Sequence, residues 1–282
     1  KHRMKLALGT VQFGLDYGVT NHDGQVAIGE VKNILDYAKD KGIDTLDTAP
    51  SYGNSEKVLG GVGVNDFQII TKTTSLQVGV ANVLQAFHQS LTDLNITSVD
   101  GLLIHNIEEV KDKQFDSLYK ELNKLKQDKL INKIGFSTYT PDQVDFLLDN
   151  FDFDLIQVPF NVFDTRLIDG GQLQALKNKN IEVHARSVFL QGLLLDFKHL
   201  SDYFSKWTKE FDSYQETVQD SELSLLEYAL NFALNTSELD KILVGVDNAN
   251  QLLDIVNSST IGVNLNEFSI DDVSLLNPVY WR

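Results

Sequence analysis

The chain has 282 residues, a length that an α/β barrel can occupy as one unit, and its 40 acidic and 24 basic side chains give a formal charge of −16. That charge disfavours nucleic acid and anionic membrane as partners, because both surfaces repel the protein's mean field, so any anionic ligand must be held by local donors. The absence of cysteine excludes disulfides, thiolate metal sites and thiol nucleophiles together.

No apolar run reaches the ~18–20 residues of a spanning helix. Lys1-His2-Arg3-Met4 leads into a strand instead of an apolar signal core, so a soluble, cytoplasmic protein with its natural start at Met4 is expected. Leu6-Ala7-Leu8-Gly9-Thr10 reads as that strand, followed by a polar, aromatic-containing loop from Val11 to Gly24. Val31, Ile34, Leu35 and Ala38 recur at helical spacing over 30–41, and Gly42 stands where a helix C-cap belongs. The pattern then predicts strand 43–47, a short helix near 54–60, strand 67–72, helix 80–94, strand 99–104, helix 113–128 and strand 131–136. Helix 141–149, opened by Pro141, precedes strand 154–158, helix 167–179 and strand 181–186. Residues 187–222 interrupt the alternation, with Phe204, Trp207 and Phe211 at helical intervals that suggest packing; helix 223–235, strand 241–245 and helix 248–257 resume it before a tail over 260–282.

Eight near-continuous apolar strands alternating with helices suit parallel strands buried on both faces, in a doubly wound sheet or a closed barrel. The count of eight favours a (β/α)8 TIM barrel. No Pro/Gly/Ser-rich linker divides the chain, so residues 1–282 are expected to form one domain. The long loop after strand 7 and the C-terminal tail are candidate pocket walls.

Groups at the C-terminal strand ends of such a barrel converge on one mouth. Asp47 ends the second strand, Tyr52 lies in the loop after it, Lys72 ends the third and His105 follows the fourth. A free phenol titrates near ~10. A nearby ammonium lowers that value, and a carboxylate paired with the ammonium limits the cost of burying it. Tyr52, Lys72 and Asp47 therefore read as a tuned general acid, with His105 placed to donate to or orient a carbonyl. Hydride would have to come from a cofactor. His88 and His184 fall inside a predicted helix and strand and read as structural, and no three-ligand metal site is suggested.

These residues resemble the aldo-keto reductase family. The resemblance runs from Leu6-Ala7-Leu8-Gly9-Thr10 through Asp47-Thr48-Ala49-Pro50-Ser51-Tyr52-Gly53-Asn54-Ser55-Glu56, Thr71-Lys72, Leu103-Ile104-His105 and Ile134-Gly135-Phe136-Ser137 to Gln157 and the last β/α unit. It implies a barrel that binds a nicotinamide cofactor, usually NADP(H), and reduces a small-molecule carbonyl without metal. By resemblance Tyr52 is the general acid, Lys72 and Asp47 its tuning pair, and His105 the orienting residue. Gly9 and Thr10 belong to the same cofactor-side set.

Ser137 and Gln157 match positions that hold the nicotinamide carboxamide, while Thr138 stands where the family has asparagine. A hydroxyl replaces only part of an amide's bonding. Arg186 stands where an aromatic ring commonly stacks on the nicotinamide; a guanidinium also stacks, but adds a charge for cofactor phosphate or a substrate carboxylate. The turn from Ser187 through Gln191 to Gly192 resembles the pyrophosphate wrap. Gly245, Asp247, Asn248 and Gln251 fall in the segment that recognises the adenine ribose, without the Lys or Arg that usually binds a 2′-phosphate. Helix N-terminal amides near 248 remain available for an anion, yet Asp247 opposes a 2′-phosphate, so NAD(H) stands beside NADP(H). Phe13, Tyr17, Phe160 and Trp281 are candidate substrate-pocket residues by loop position. The resemblance includes sugar-derived carbonyls among the substrates. The alternatives are a cofactor-binding regulatory or assembly subunit with little turnover, and a metal- or Schiff-base-dependent lyase using Lys72. Oligomeric state is not specified.

Overall fold

A computed structural model describes residues 4–17, 24–259 and 265–281. The reading of residues 1–3, and parts of the predicted loop 11–24 and tail 260–282, lie outside the described residues. β1 (Leu6–Gly9) is followed by the single turn α1 (Val11–Gly14) and by α2 (Ile28–Asp40). β2 (Thr45–Asp47) precedes α3 (Ser55–Val62), and β3 (Gln68–Lys72) precedes α4 (Val80–Leu94). β4 (Val99–Ile104) leads to α5 (Phe115–Gln127), and β5 (Ile131–Ser137) to α6 (Pro141–Asn150). β6 (Leu155–Pro159) is followed by α7 (Arg166–Asp169) and α8 (Gln172–Asn178), and β7 (Glu182–Arg186) by α9 (Thr208–Asp220) and α10 (Leu225–Leu234). β8 (Lys241–Gly245), α11 (Ala249–Ser258) and α12 (Val273–Leu276) complete the chain.

Each strand pairs in parallel with the next, and β8 closes on β1 with Leu6 opposite Ile242 and Gly9 opposite Gly245. The result is a (β/α)8 barrel in a single domain; closure excludes the doubly wound alternative. It also leaves no free sheet edge and gathers the C-terminal strand ends at one mouth. Among the described residues no helix is long and apolar enough to cross a membrane.

Three predicted elements are corrected. The helix expected over 167–179 is two helices, because Gly171 adopts φ 84 between them. The loop expected from Val11 opens with α1. The insertion over 187–222 contains α9, whose Phe211, Tyr214 and Val218 are buried, Phe211 and Tyr214 lying against Phe163 at ring distances of 6.0 and 5.0 Å. Its preceding turn is tied to the tail by Trp207 Nε1, which donates to Asp272 Oδ2 at 3.1 Å. Of the remaining elements α4, β4 and β8 coincide with the predicted bounds, and the others differ by one or two residues at one or both ends.

Inside the barrel, strand alternation stacks side chains in layers. Ile70, Leu103 and Leu155 form a small, fully buried apolar layer, separate from the main core between sheet and helices. Toward the N-terminal strand ends lies a charged network: Lys133 Nζ bridges Asp100 and Glu182 at 3.0 Å each, and Lys241 Nζ meets Asp44 Oδ1 at 2.8 Å. Burial opposes ionisation of Glu182, but His184 and Lys133 outweigh it and hold its pKa down to about 2. His184, expected to be a satisfied structural histidine, is buried with neither ring nitrogen hydrogen-bonded; its Nε2 lies 3.4 Å from Glu182 Oε2. The two groups meet at ion-pair distance without a well-formed bond.

Candidate active site

Above the apolar layer, on the same strand faces, sit Asp47, Lys72 and Gln157. Lys72 is buried and donates from Nζ to Asp47 Oδ1 at 2.7 Å and to the Thr48 carbonyl at 2.9 Å. Burial favours the neutral amine, but Asp47 and then Tyr52 reverse this and raise the Lys72 pKa. Gln157 Nε2 donates to the other Asp47 oxygen at 2.7 Å. Both carboxylate oxygens of Asp47 therefore hold a neighbour in place, which keeps the ammonium in one position.

Tyr52 stands over that ammonium, with Lys72 Nζ 5.0 Å from its ring centroid. Its loop is fixed by glycine at two points. A Cβ on Gly14 would fall 1.7 Å from the Tyr52 carbonyl, and Gly53, at φ 57, packs back so closely that its own Cβ would lie 2.2 Å from the Gly14 carbonyl. Ser55 Oγ adds bonds to the Thr10 carbonyl and hydroxyl at 3.1 and 3.0 Å. Only glycine tolerates both the approach and the positive φ. The phenol pKa is raised: burial pushes it up by more than Lys72 and Arg186 pull it down, with Asp47 adding to the rise. The expected lowering by Lys72 is present, but as the smaller contribution.

His105 meets Tyr52 edge-on, with ring centroids 6.2 Å apart and planes at 88°. Its Nδ1 lies 3.5 Å from Ser51 Oγ, and its backbone N–H donates to Thr73 Oγ1 at 3.3 Å. Burial, followed by Lys72, lowers its pKa to about 4, with Asp47 opposing and Arg186 assisting. The imidazole is neutral at neutral pH.

These groups adjoin a cavity of about 710 Å³, within the range of ~300–1,000 Å³ usual for ligand and cofactor sites. Asp47, Tyr52 and Gln157 line one end, with Gly9 and Thr10 beside them. Arg186, Ser187, Gln191 and Gly192 form a second wall, and Gly245, Asp247 and Gln251 a third. Lys72, buried, and His105, half-buried beside Tyr52, are not among the lining residues. Nor are Ser137 and Thr138, both buried, the Thr138 hydroxyl donating to the Gln157 carbonyl at 3.1 Å. Asn248 serves as N-cap of α11, its side chain accepting from Gln251 N at 2.9 Å. Of the suggested substrate-pocket aromatics, Tyr17 lines the cavity. Phe13 and Phe160 are fully buried in the core, and Trp281 packs on Phe204 at 4.9 Å.

The wall after β7 is backbone-strained: Ser187, Leu190 and Gln191 all have positive φ, at 60, 49 and 52°, followed by Gly192 at 91°. Successive amides in such turns form concavities suited to anions. Gln191 Nε2 reaches Tyr17 Oη at 2.9 Å, joining this wall to the loop after β1. Gln12 Oε1 is buried at the lining without a hydrogen-bond partner, an acceptor left for a ligand donor. The volume, strained turn and orphan acceptor fit a dinucleotide. The expectation of free amides near residue 248 is corrected, because Glu30 Oε1 of α2 accepts from Ala249 N at 2.7 Å. Glu30 leaves no local trace of this in the sequence. Ser51 and Tyr139, also missed, lie in loops after β2 and β5, and that position was their available signal.

The sequence profile of the Aldo/keto reductase family matches residues 5–277. The chain is similar to the uncharacterized oxidoreductase YqkF of Bacillus subtilis, 26% identical over 262 residues, covering 81% of this chain and 83% of that protein. It is also similar to the glyoxal reductase of Bacillus subtilis, 31% identical over 175 residues; there the match spans 60% of this chain and only 61% of the relative's own length. In three dimensions it superposes on the holo form of the aldo-keto reductase AKR11C1 from Bacillus halodurans with a TM-score of 0.75 at 20% identity, covering 92% and 88% of the two chains. With a family profile running over nearly its full length and the barrel that profile calls for, the chain belongs to the Aldo/keto reductase family of NAD(P)H-dependent oxidoreductases.

Proposed function

We propose that the protein reduces an aldehyde or ketone with Tyr52 as proton donor. The observation that carries this reading is a half-buried phenol, its pKa raised by its surroundings, standing over an ammonium that the Asp47 carboxylate and the Thr48 carbonyl hold in place. When bound, the nicotinamide supplies the hydride. Tyr52 gives its proton to the carbonyl oxygen, and Lys72, within reach of the ring, stabilises the phenolate that remains. Asp47 keeps Lys72 charged. Neutral His105, with Nδ1 beside Ser51, offers Nε2 to the same oxygen and orients it.

Gln157 has its N–H engaged by Asp47, which leaves its carbonyl oxygen to accept from the nicotinamide amide. The turn from Ser187 to Gly192 would hold the pyrophosphate, and Asp247 and Gln251 the adenine ribose. That last region favours NAD(H) over the NADP(H) usual in the family. Glu30 occupies the α11 amide, and Asp247 and Asp254 line the cavity nearby, so a 2′-phosphate would meet negative charge. The name of the glyoxal reductase relative points to small polar carbonyls, a class that includes sugar-derived aldehydes, and a cytoplasmic setting suits such substrates.

Tyr52→Phe tests the reading. Turnover of an aldehyde panel should fall by about 10²–10⁴-fold while nucleotide binding, followed by fluorescence, persists. Undiminished reduction by that variant would sink the assignment.

A further inference from the structure

Two arginines lie among the described residues, and their settings differ. Arg166 is neutralised: its Nε donates to Asp164 Oδ1 at 2.8 Å and its Nη2 to Oδ2 at 3.0 Å. Arg186 makes no ion pair among the described residues. Its recorded acceptors are both neutral, the Thr138 carbonyl at 2.7 Å and the Ser187 hydroxyl at 3.5 Å. A guanidinium carries five N–H groups, so most of its donors have no acceptor among the described residues.

The side chain is nevertheless held. Its guanidinium carbon lies 4.4 Å from the centroid of the Tyr139 ring, a stacking that fixes the plane and leaves the edge free. Arg186 and Tyr139 both line the cavity that Tyr52 lines, and Arg186 is the one Lys or Arg among its lining residues. Its Nη2 bonds the carbonyl of Thr138, whose hydroxyl in turn bonds the Gln157 carbonyl, which places it beside the Asp47–Gln157 end of the cavity. In a chain of net charge −16, an anionic substrate must be held by local donors, and Arg186 is the cationic one in this lining.

We propose that Arg186, held in plane by Tyr139, binds an anionic group of the substrate, so that the protein acts on carbonyl compounds bearing a carboxylate or phosphate. This rests on Tyr52-dependent carbonyl reduction and adds the charge class of the substrate. Carboxylate and phosphate present the same geometry to the fork of a guanidinium, and a matched pair of probes separates them.

The experiment compares succinic semialdehyde with its methyl ester, and glyceraldehyde 3-phosphate with glyceraldehyde. In the unaltered enzyme, kcat/KM should favour the charged member of at least one pair by roughly 10- to 100-fold. Arg186→Met should collapse that ratio to near unity, and Arg186→Lys should restore part of it. The same charged-to-neutral ratio is read by calorimetry as binding to the Tyr52→Phe protein with nucleotide present, so the result does not depend on turnover. A ratio near unity in both pairs, a ratio that survives Arg186→Met, or a defect of that variant confined to nucleotide affinity would each overturn the proposal while leaving the dependence on Tyr52 intact. Reduction of all four compounds by Tyr52→Phe at the unaltered rate would instead remove the underlying reading, and this one with it.

Discussion

His105 shows how far one side chain's chemistry depends on what buries it. An imidazole in water takes its proton near ~6.5. Here burial, then Lys72 and Arg186, hold its pKa at about 4. The unfolded chain therefore binds this proton at a higher pH than the folded one, and His105 draws on stability as pH falls through that window. In its proposed role the same shift would keep it a neutral hydrogen-bond donor. The pH profile of kcat/KM should show no imidazole inflection between about 6 and 7, and His105→Gln should lower kcat by about 10²-fold. An inflection in that range that disappears in His105→Gln would contradict the assignment of a neutral imidazole.

At the scale of elements, α2 and α11 set the character of the cavity's far end. Glu30 reaches from α2 to the first amide of α11, converting a helix terminus suited to anions into one already filled by a carboxylate. Titration with both nucleotides should show tighter binding of NADH than NADPH, and Glu30→Gln should narrow that preference by about 2- to 10-fold. A preference for NADPH in the unaltered protein, or an unchanged ratio in the variant, would refute the reading.

This contact also marks what the sequence could express. The strands were legible because parallel strands buried on both faces are short apolar runs. Asp47, Lys72 and His105 were legible because each closes or follows such a run. Tyr52 was legible from the loop between two of them. The Glu30 to Ala249 bond joins residues 219 apart, and nothing local announces it. The break at Gly170-Gly171 was locally encoded but looked like part of a continuous apolar helix. The burial that raises the Tyr52 pKa belongs to the assembled barrel, so residue types alone suggested the wrong balance between burial and Lys72.

Over the whole molecule, the barrel carries charge at both ends of its interior. At the closed end Glu182 ionises at about 2 instead of the ordinary 4.5, so its contribution to stability is present above the unfolded value and is lost as pH falls from there toward the folded one. Glu182→Gln should lower the urea midpoint near neutral pH, by an equivalent of about 1–2 kcal/mol after allowance for solvent screening. The difference should fade below about pH 3. An equal loss at both pH values would mean that packing, and not charge, is what Glu182 provides.

Between the two ends lie Ile70, Leu103 and Leu155, all fully buried. Ile70 shares its strand face with Lys72, and Leu155 shares its face with Gln157. Three hydrocarbon side chains offer no site for a proton to rest on, so this layer itself relays no proton from the lower network to the upper one. Under the proposed chemistry each turnover takes a proton from Tyr52, and its replacement would come by way of the mouth, where the tail residues Asn277, Pro278 and Val279 line the cavity. In that reading product leaves through the same cavity. Recharging the acid and releasing the alcohol would then share one cavity, with the tail as part of its wall.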